Sequence, residues 1–192
     1  MTHTEILDSL ENFYPQLSRE EAKILLSIST YKKFKSREII FKSGREDKKV
    51  ILILKGSVRS YDIVEGVELN CHLRSEGYIM GDARAFSDHL VSYLNTEAIT
   101  KVEALLFDLG ELEAIGFENP KIMRFYLDLM KEIILVFAHR IHTFVAMDAT
   151  GRYEDLMKWN PEYLKSTFDK HLASFLGITP LTFSRIKKKS II

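Results

Sequence analysis

The side chains best suited to acting on another molecule lie in residues 168–189. From Leu181 onward the chain carries Arg185, Lys187, Lys188 and Lys189 and no acidic residue. Guanidinium and ammonium groups so placed can hold phosphate, and an arginine can also read a guanine edge. His171-Leu-Ala-Ser-Phe-Leu-Gly177 predicts a short helix, with the small Ala173 where a second helix must cross closely. Gly177 follows four residues later and supplies the positive φ of a tight turn. Ile178 anchors that turn, and Thr179-Pro180 reads as an N-cap followed by proline at the first helical position. Phe183 and Ile186, three apart, then face inward, which leaves Leu181, Thr182, Ser184, Arg185, Lys188 and Lys189 pointing outward or sideways. This is the spacing of a helix-turn-helix, and with Thr179 these six residues are the expected DNA contacts. The plainer alternative is a two-helix corner with a solvated lysine tail.

Other chemistry is poorly supplied. The single cysteine, Cys71, excludes an internal disulfide and any cysteine-ligated cluster. His139 and His142 stand three apart on a helical stretch without a third ligand at helical spacing. Glu20-Glu21 and Glu111/Glu113 read as surface charge with no acid–base partner. No Ser-His-Asp order or phosphate-cradling glycine loop occurs. The expectation is a protein that is not an enzyme, with no catalytic residues, metal or cofactor. A cupin-like metal enzyme or a haem sensor would have to rest on His72 and His89, which are too sparse.

Three stretches of different periodicity must position the basic end. Residues 1–30 read as helical, with the capping-box spacing Ser18-Arg-Glu-Glu21 ahead of Ala22, Leu25, Leu26 and Ile28. From about 31 to 109, short apolar runs such as Ile39–Phe41, Val50–Leu54, Leu69–Leu73 and Ala104–Phe107 alternate with glycines, which predicts an antiparallel barrel or roll. After Asn119-Pro120 a helix of about 28 residues is apolar on two sides. One stripe takes in Tyr126, Leu129, Ile133 and Val136, and another Met130, Ile134, Phe137, Ile141 and Phe144. Such a helix serves its own domain with one face and a second copy with the other. The residues expected at that dimer contact are Tyr126, Leu129, Ile133, Val136, Arg140 and Phe144. The alternative is a central helix of one larger domain. Asp148-Ala-Thr-Gly-Arg152 reads as a hinge around its glycine. The resulting division is 1–118, 119–147 and 148–192.

Basic and acidic residues balance at 27 each, so any nucleic-acid contact must use a local patch. The start lacks the basic and apolar runs of a signal peptide, and no apolar run is long enough to span a bilayer. A cytoplasmic protein without membrane contact is expected.

Three motifs in order resemble the Crp/Fnr family over almost the whole chain. They are Ile40-Phe41-Lys-Ser-Gly44 with Ile53-Leu-Lys-Gly-Ser-Val58, then Asp148–Arg152 after a long helix, then Leu172 through Ile186. The resemblance implies an α+β chain with an N-terminal double-stranded β-roll like those that bind cyclic nucleotides. A long dimerisation helix and a C-terminal helix-turn-helix domain without an evident wing complete it. It also implies a homodimer on double-stranded DNA, with RNA polymerase as a further partner and an unknown small-molecule effector or none. Relatives that bind cyclic nucleotides have Gly-Glu and, ten residues after the glutamate, Arg-Ser. The glutamate takes the ribose hydroxyl and the arginine the cyclic phosphate. Here Gly81-Asp82 is followed at that spacing by Ser92-Tyr93, so the pocket is expected to be degenerate, with Tyr93 filling space. The family's frequent glutamate early in the recognition helix is Leu181 here. The competing function is an interaction protein that keeps the fold without binding DNA.

Overall fold

The computed structural model describes residues 1–87 and 90–190. The N-terminal helical stretch is two helices, α1 (His3–Phe13) and α2 (Arg19–Ser27), parted at Tyr14-Pro15. Each opens on a capping box, Thr2 with Glu5 and Ser18 with Glu21, so orphan N–H groups at both starts find acceptors within one turn. Eight strands follow among the described residues: β1 (Ser29–Phe34), β2 (Ile39–Phe41), β3 (Lys49–Lys55), β4 (Val58–Val64), β5 (Val67–Arg74), β6 (Ile79–Met80), β7 (Asn95–Ala98) and β8 (Val102–Asp108). They form two antiparallel four-stranded sheets, in the orders β1-β8-β3-β6 and β2-β7-β4-β5.

Strand β3 shows why the roll reads as unbroken apolar runs. Ile51 and Ile53 face the other sheet, packing with Phe41, Val58, Met80 and Ala98. Val50, Leu52 and Leu54 face the opposite way, into a second core with α1, α2 and the helices that follow. A strand buried on both faces has no polar alternation to display.

After α3 (Leu109–Glu118), Asn119 caps α4 (Pro120–Ala146), accepting from the N–H groups of Lys121 and Ile122. The first half of α4 sinks Ile122, Phe125 and Leu129 into the core shared with β3 and β8. The interruption expected at Gly151 falls earlier. Met147 and Asp148 are extended, Asp148 accepts from the Gly151 N–H, and Gly151 itself lies inside α5 (Ala149–Trp159). A capping carboxylate, rather than a flexible glycine, ends one helix and begins the next.

The short α6 (Tyr163–Ser166), then α7 (Asp169–Phe175) and α8 (Pro180–Lys189), complete the chain with α5. Their core joins Tyr153, Leu156, Tyr163, Leu172, Leu176 and Phe183 and borrows Leu73 and Ile99 from the roll. The small C-terminal unit is therefore seated on the sheet. The Ser174 hydroxyl fastens that seat, accepting from the Asn70 N–H at 2.9 Å and donating to the Glu68 carbonyl at 3.1 Å, on edge strand β5. No helix is long and apolar enough to cross a membrane among the described residues.

Candidate nucleic-acid interface

Helices α7 and α8 meet at a turn whose parts are the ones the spacing suggested. Gly177 has φ +65°, and a Cβ there would stand 2.7 Å from the Phe144 ring, so both the backbone and the space require glycine. The Ile178 N–H donates to the Ala173 carbonyl at 3.0 Å, and Ala173 is fully buried at the crossing. Thr179 caps α8 by accepting from the Thr182 N–H at 3.1 Å, and the two threonine hydroxyls bond each other at 2.9 Å. Phe183 is fully buried, edge-on to Tyr153, and Ile186 is buried beside it.

That burial decides which face of α8 is presented. Leu181, Ser184, Arg185, Lys188 and Lys189 are exposed, together with Thr179. Thr182 is half-buried and committed to the cap. Lys187 is drawn back to Asp169 at 2.8 Å, tying α8 to α7. Arg185, Lys188 and Lys189 have no carboxylate partner among the described residues. The result is one exposed helix face with three uncompensated cations, an apolar Leu181 and a free hydroxyl. Such a face suits the floor and walls of a DNA major groove.

The carbonyls at the C-terminal end of α7 are held from outside. Arg140 of α4 donates to the Phe175 carbonyl, and Arg152 of α5 donates to those of Leu176 and Met147, both at 2.8 Å. Cations at a helix C-terminus satisfy orphan acceptors and oppose the dipole. The turn is thus tied directly to the long helix, with the Arg140 guanidinium between the rings of Phe144 and Phe175.

These contacts reassign the faces of α4. Leu129 is buried in its own chain's core, with Tyr126 packed against that core, and Ile133 and Val136 lie against the roll. Arg140 and Phe144 support the α7–α8 turn. The stripe expected to meet a partner thus has contacts within the protomer, while Phe144 stays exposed and Ile133, Val136 and Arg140 half-buried. Apolar residues that α4 leaves exposed include Leu127, Ile134, Ala138, Ile141 and Val145, spaced 7, 4, 3 and 4 apart, with Ile134 and Ile141 each 65% exposed and Val145 82%, and beside this row Leu135 and Phe144. These fall at heptad a and d positions, with Lys131 at the a position between Leu127 and Ile134, opposite f positions Leu129 and Thr143, which are buried, and Val136, which is half-buried.

Residues expected in a degenerate effector pocket are brought together only in part. The Ser92 hydroxyl donates to the Asp82 carboxylate at 2.7 Å, and both are buried. The same carboxylate caps the short 3-10 turn Ala83–Phe86 through the Arg84 N–H. A Cβ on Gly81 would stand 2.5 Å from Val50. Tyr93 does not fill the interior. The alternation puts Ser92, Leu94, Thr96 and Ala98 inside and Tyr93 outside, where Arg84 covers its ring. Between the roll and α4 a cavity of only about 30 Å³ remains, near one water in size. Phe137 and His72 pack edge-to-face beside it, and burial pushes His72 down to about 3, so its imidazole is neutral. His89 lies outside the described residues. His139 pairs with Asp155 at 2.8 Å, and no group of three or more potential metal ligands occurs among the described residues.

No family model and no curated protein sequence matches the chain. Solved structures do. The global regulator CLP of Xanthomonas campestris, described as responsive to c-di-GMP, superposes with a TM-score of 0.70 at 16% identity, over 90% of this chain and 91% of its own. FixK2 of Bradyrhizobium japonicum gives 0.69 at 17% identity, over 84% of each chain. A CooA variant from Carboxydothermus hydrogenoformans gives 0.68 at 18% identity, over 98% of this chain and 85% of its own. The fold is that of the Crp/Fnr regulators. The exposed face of α8 and the exposed apolar row of α4 are surfaces without a partner in the protomer among the described residues. The roll interior, by contrast, is closed by its own side chains.

Proposed function

We propose that the chain is a homodimeric, sequence-specific DNA-binding transcriptional regulator whose roll no longer takes a cyclic nucleotide. The observation that carries this reading is the exposed face of α8, where Leu181, Ser184, Arg185 and Lys188 stand free of carboxylates above a rigidly capped and buried inner face. A solvated lysine tail would need neither the glycine-dependent turn nor the arginine ties to α7. The exposed heptad row on α4 supports pairing of two copies, which would set two recognition helices on successive turns of one face of DNA. RNA polymerase as a further partner and a cytoplasmic location belong to this reading. So do the divisions at 118/119 and 147/148, which fall at the ends of α3 and α4.

Arg185 is the expected base reader and Lys188 and Lys189 the expected phosphate contacts. Arg185→Ala should cost about 1–3 kcal/mol per half-site and relax preference at one base pair. Lys188→Ala should weaken all duplexes alike and lower the salt slope by about one. Binding of both variants to a selected operator and to scrambled DNA across a salt series checks this. Equal losses on both DNAs for Arg185→Ala would remove Arg185 as the reader. Failure of the parent chain to bind any duplex at low salt would leave the interaction-protein reading instead.

Cyclic AMP and cyclic GMP should not bind measurably at about 100 μM. Ser92 supplies no charge for the phosphate, and it already bonds Asp82. Loss of one desolvated ion contact is worth about a hundredfold or more. Calorimetry giving a micromolar constant would overturn this expectation.

A further inference from the structure

An apolar-walled opening beside α4 belongs to neither surface described above. It has a volume of about 630 Å³ and lies where α4, β5, α5, α6 and α7 converge, within the size range of sites for small organic ligands. Its apolar lining includes Leu135, Leu156, Trp159, Tyr163 and Phe175. Three arginines also line it: Arg74 from β5, Arg140 from α4 and Arg152 from α5. None is in a salt bridge with a carboxylate among the described residues; their hydrogen bonds in the protomer go to main-chain carbonyls and, for Arg74, also to the Tyr163 side chain. Each guanidinium carries five N–H groups, so these contacts leave donors free. Two carboxylates face the same space. Asp155 is spent on His139 at 2.8 Å. Burial raises Glu132 from its ordinary value, opposed by the nearby Arg74 charge.

From this lining we infer that the cavity binds a small organic anion with an apolar, ring-bearing body, its charge held by Arg74 and Arg140 and its body packed against Trp159 and Phe175. A neutral apolar ligand would leave desolvated guanidinium groups uncompensated, whereas an anion gains charge-assisted bonds from them. Burial pushes Arg140 down to about 10, so it keeps its charge at neutral pH in a setting where an anion is strongly felt.

The position gives the site a consequence. Its walls come from the roll, from α4 and from the helices that carry the α7–α8 turn, so a ligand touches every part whose relation sets the recognition helices. Binding there biases DNA affinity, and DNA biases binding there by the same factor. This consequence rests on the regulator reading; the site itself does not.

The chain has one tryptophan, Trp159, on the cavity wall, and its emission reports occupancy. The full chain is titrated with 4-phenylbutyrate and, separately, with the neutral 4-phenylbutanamide. The expected result is a saturable emission change with the carboxylate and binding at least about tenfold weaker with the amide. Arg74→Gln and Arg140→Gln should each weaken the carboxylate about tenfold and leave the amide unchanged. Arg74→Gln keeps the test meaningful if loss of Arg140 loosens the turn, and a thermal melt of each variant checks folding. Equal binding of the two compounds, no emission change up to about 10 mM, or indifference to both substitutions overturns the site. Duplex affinity is read separately by anisotropy. Carboxylate binding without any DNA binding would retain the site and reject only the regulator reading.

Discussion

Glutamate at both Ile134 and Ile141 is expected to convert the protein from a dimer to a monomer and to lower duplex affinity more than about a hundredfold. Both side chains are 65% exposed in the protomer, so the change costs the isolated fold little. In a paired helix they occupy the d positions of successive heptads, and each residue recurs on the partner. Four carboxylates would then have to enter one apolar seam, at a cost far above the roughly 2 kcal/mol each isoleucine gains by burial there. Two half-site contacts joined in one particle also reinforce each other, and this gain disappears on dissociation. Light scattering of the parent should give twice the 22.2 kDa chain mass, and the double variant the chain mass itself. The control is Ile133→Glu, on the side turned to the roll, which should lower the melting temperature rather than change the mass of the folded fraction. A double variant that stays dimeric would mean the copies pair through some other surface.

Phe183→Ala should abolish DNA binding by melting the C-terminal unit while the roll and the dimer persist. Phe183 is fully buried against Tyr153 in a small cluster with Leu172, Leu176 and Tyr163. Truncating a buried phenylalanine costs about 3–5 kcal/mol, and a unit of this size holds little more than that in its own packing. The separate core of the roll, built on β3 with α1, α2, α3 and α4, does not include Phe183. Hydrogen exchange should therefore show loss of protection confined to α5–α8, with unchanged light scattering. A variant with parent-like protection in α8 and parent-like duplex affinity would show that α8 is not seated as described.

Much of this was legible beforehand wherever one local rule sufficed. The α7–α8 turn could be read because glycine, N-cap threonine and proline each act within four residues and agree with one another. The capping box at Ser18 and the start of α4 at Asn119-Pro120 were readable for the same reason. The β-roll was recognisable from short apolar runs parted by glycines, but its sheet orders were not, because antiparallel partners such as β1 and β8 lie some seventy residues apart.

The choices that remained were between surfaces of similar composition, and only packing separates them. The sequence by itself determined that α4 is apolar on two sides, that Ser92-Tyr93 and not an arginine follows Gly81-Asp82 at the family's spacing, and that α8 carries four cations and no acid. It could not say which stripe of α4 meets its own chain. Hydrophobicity is non-directional, and the roll, with β5 and β6, takes the face bearing Ile133 and Val136. Nor could it place Tyr93, whose outward turn follows from the inward register of Ser92 and Leu94. The clustering of Arg74, Arg140 and Arg152 around one cavity was equally out of reach. Those residues come from three elements, and a charge left unpaired by a neighbouring element is a property of the tertiary structure.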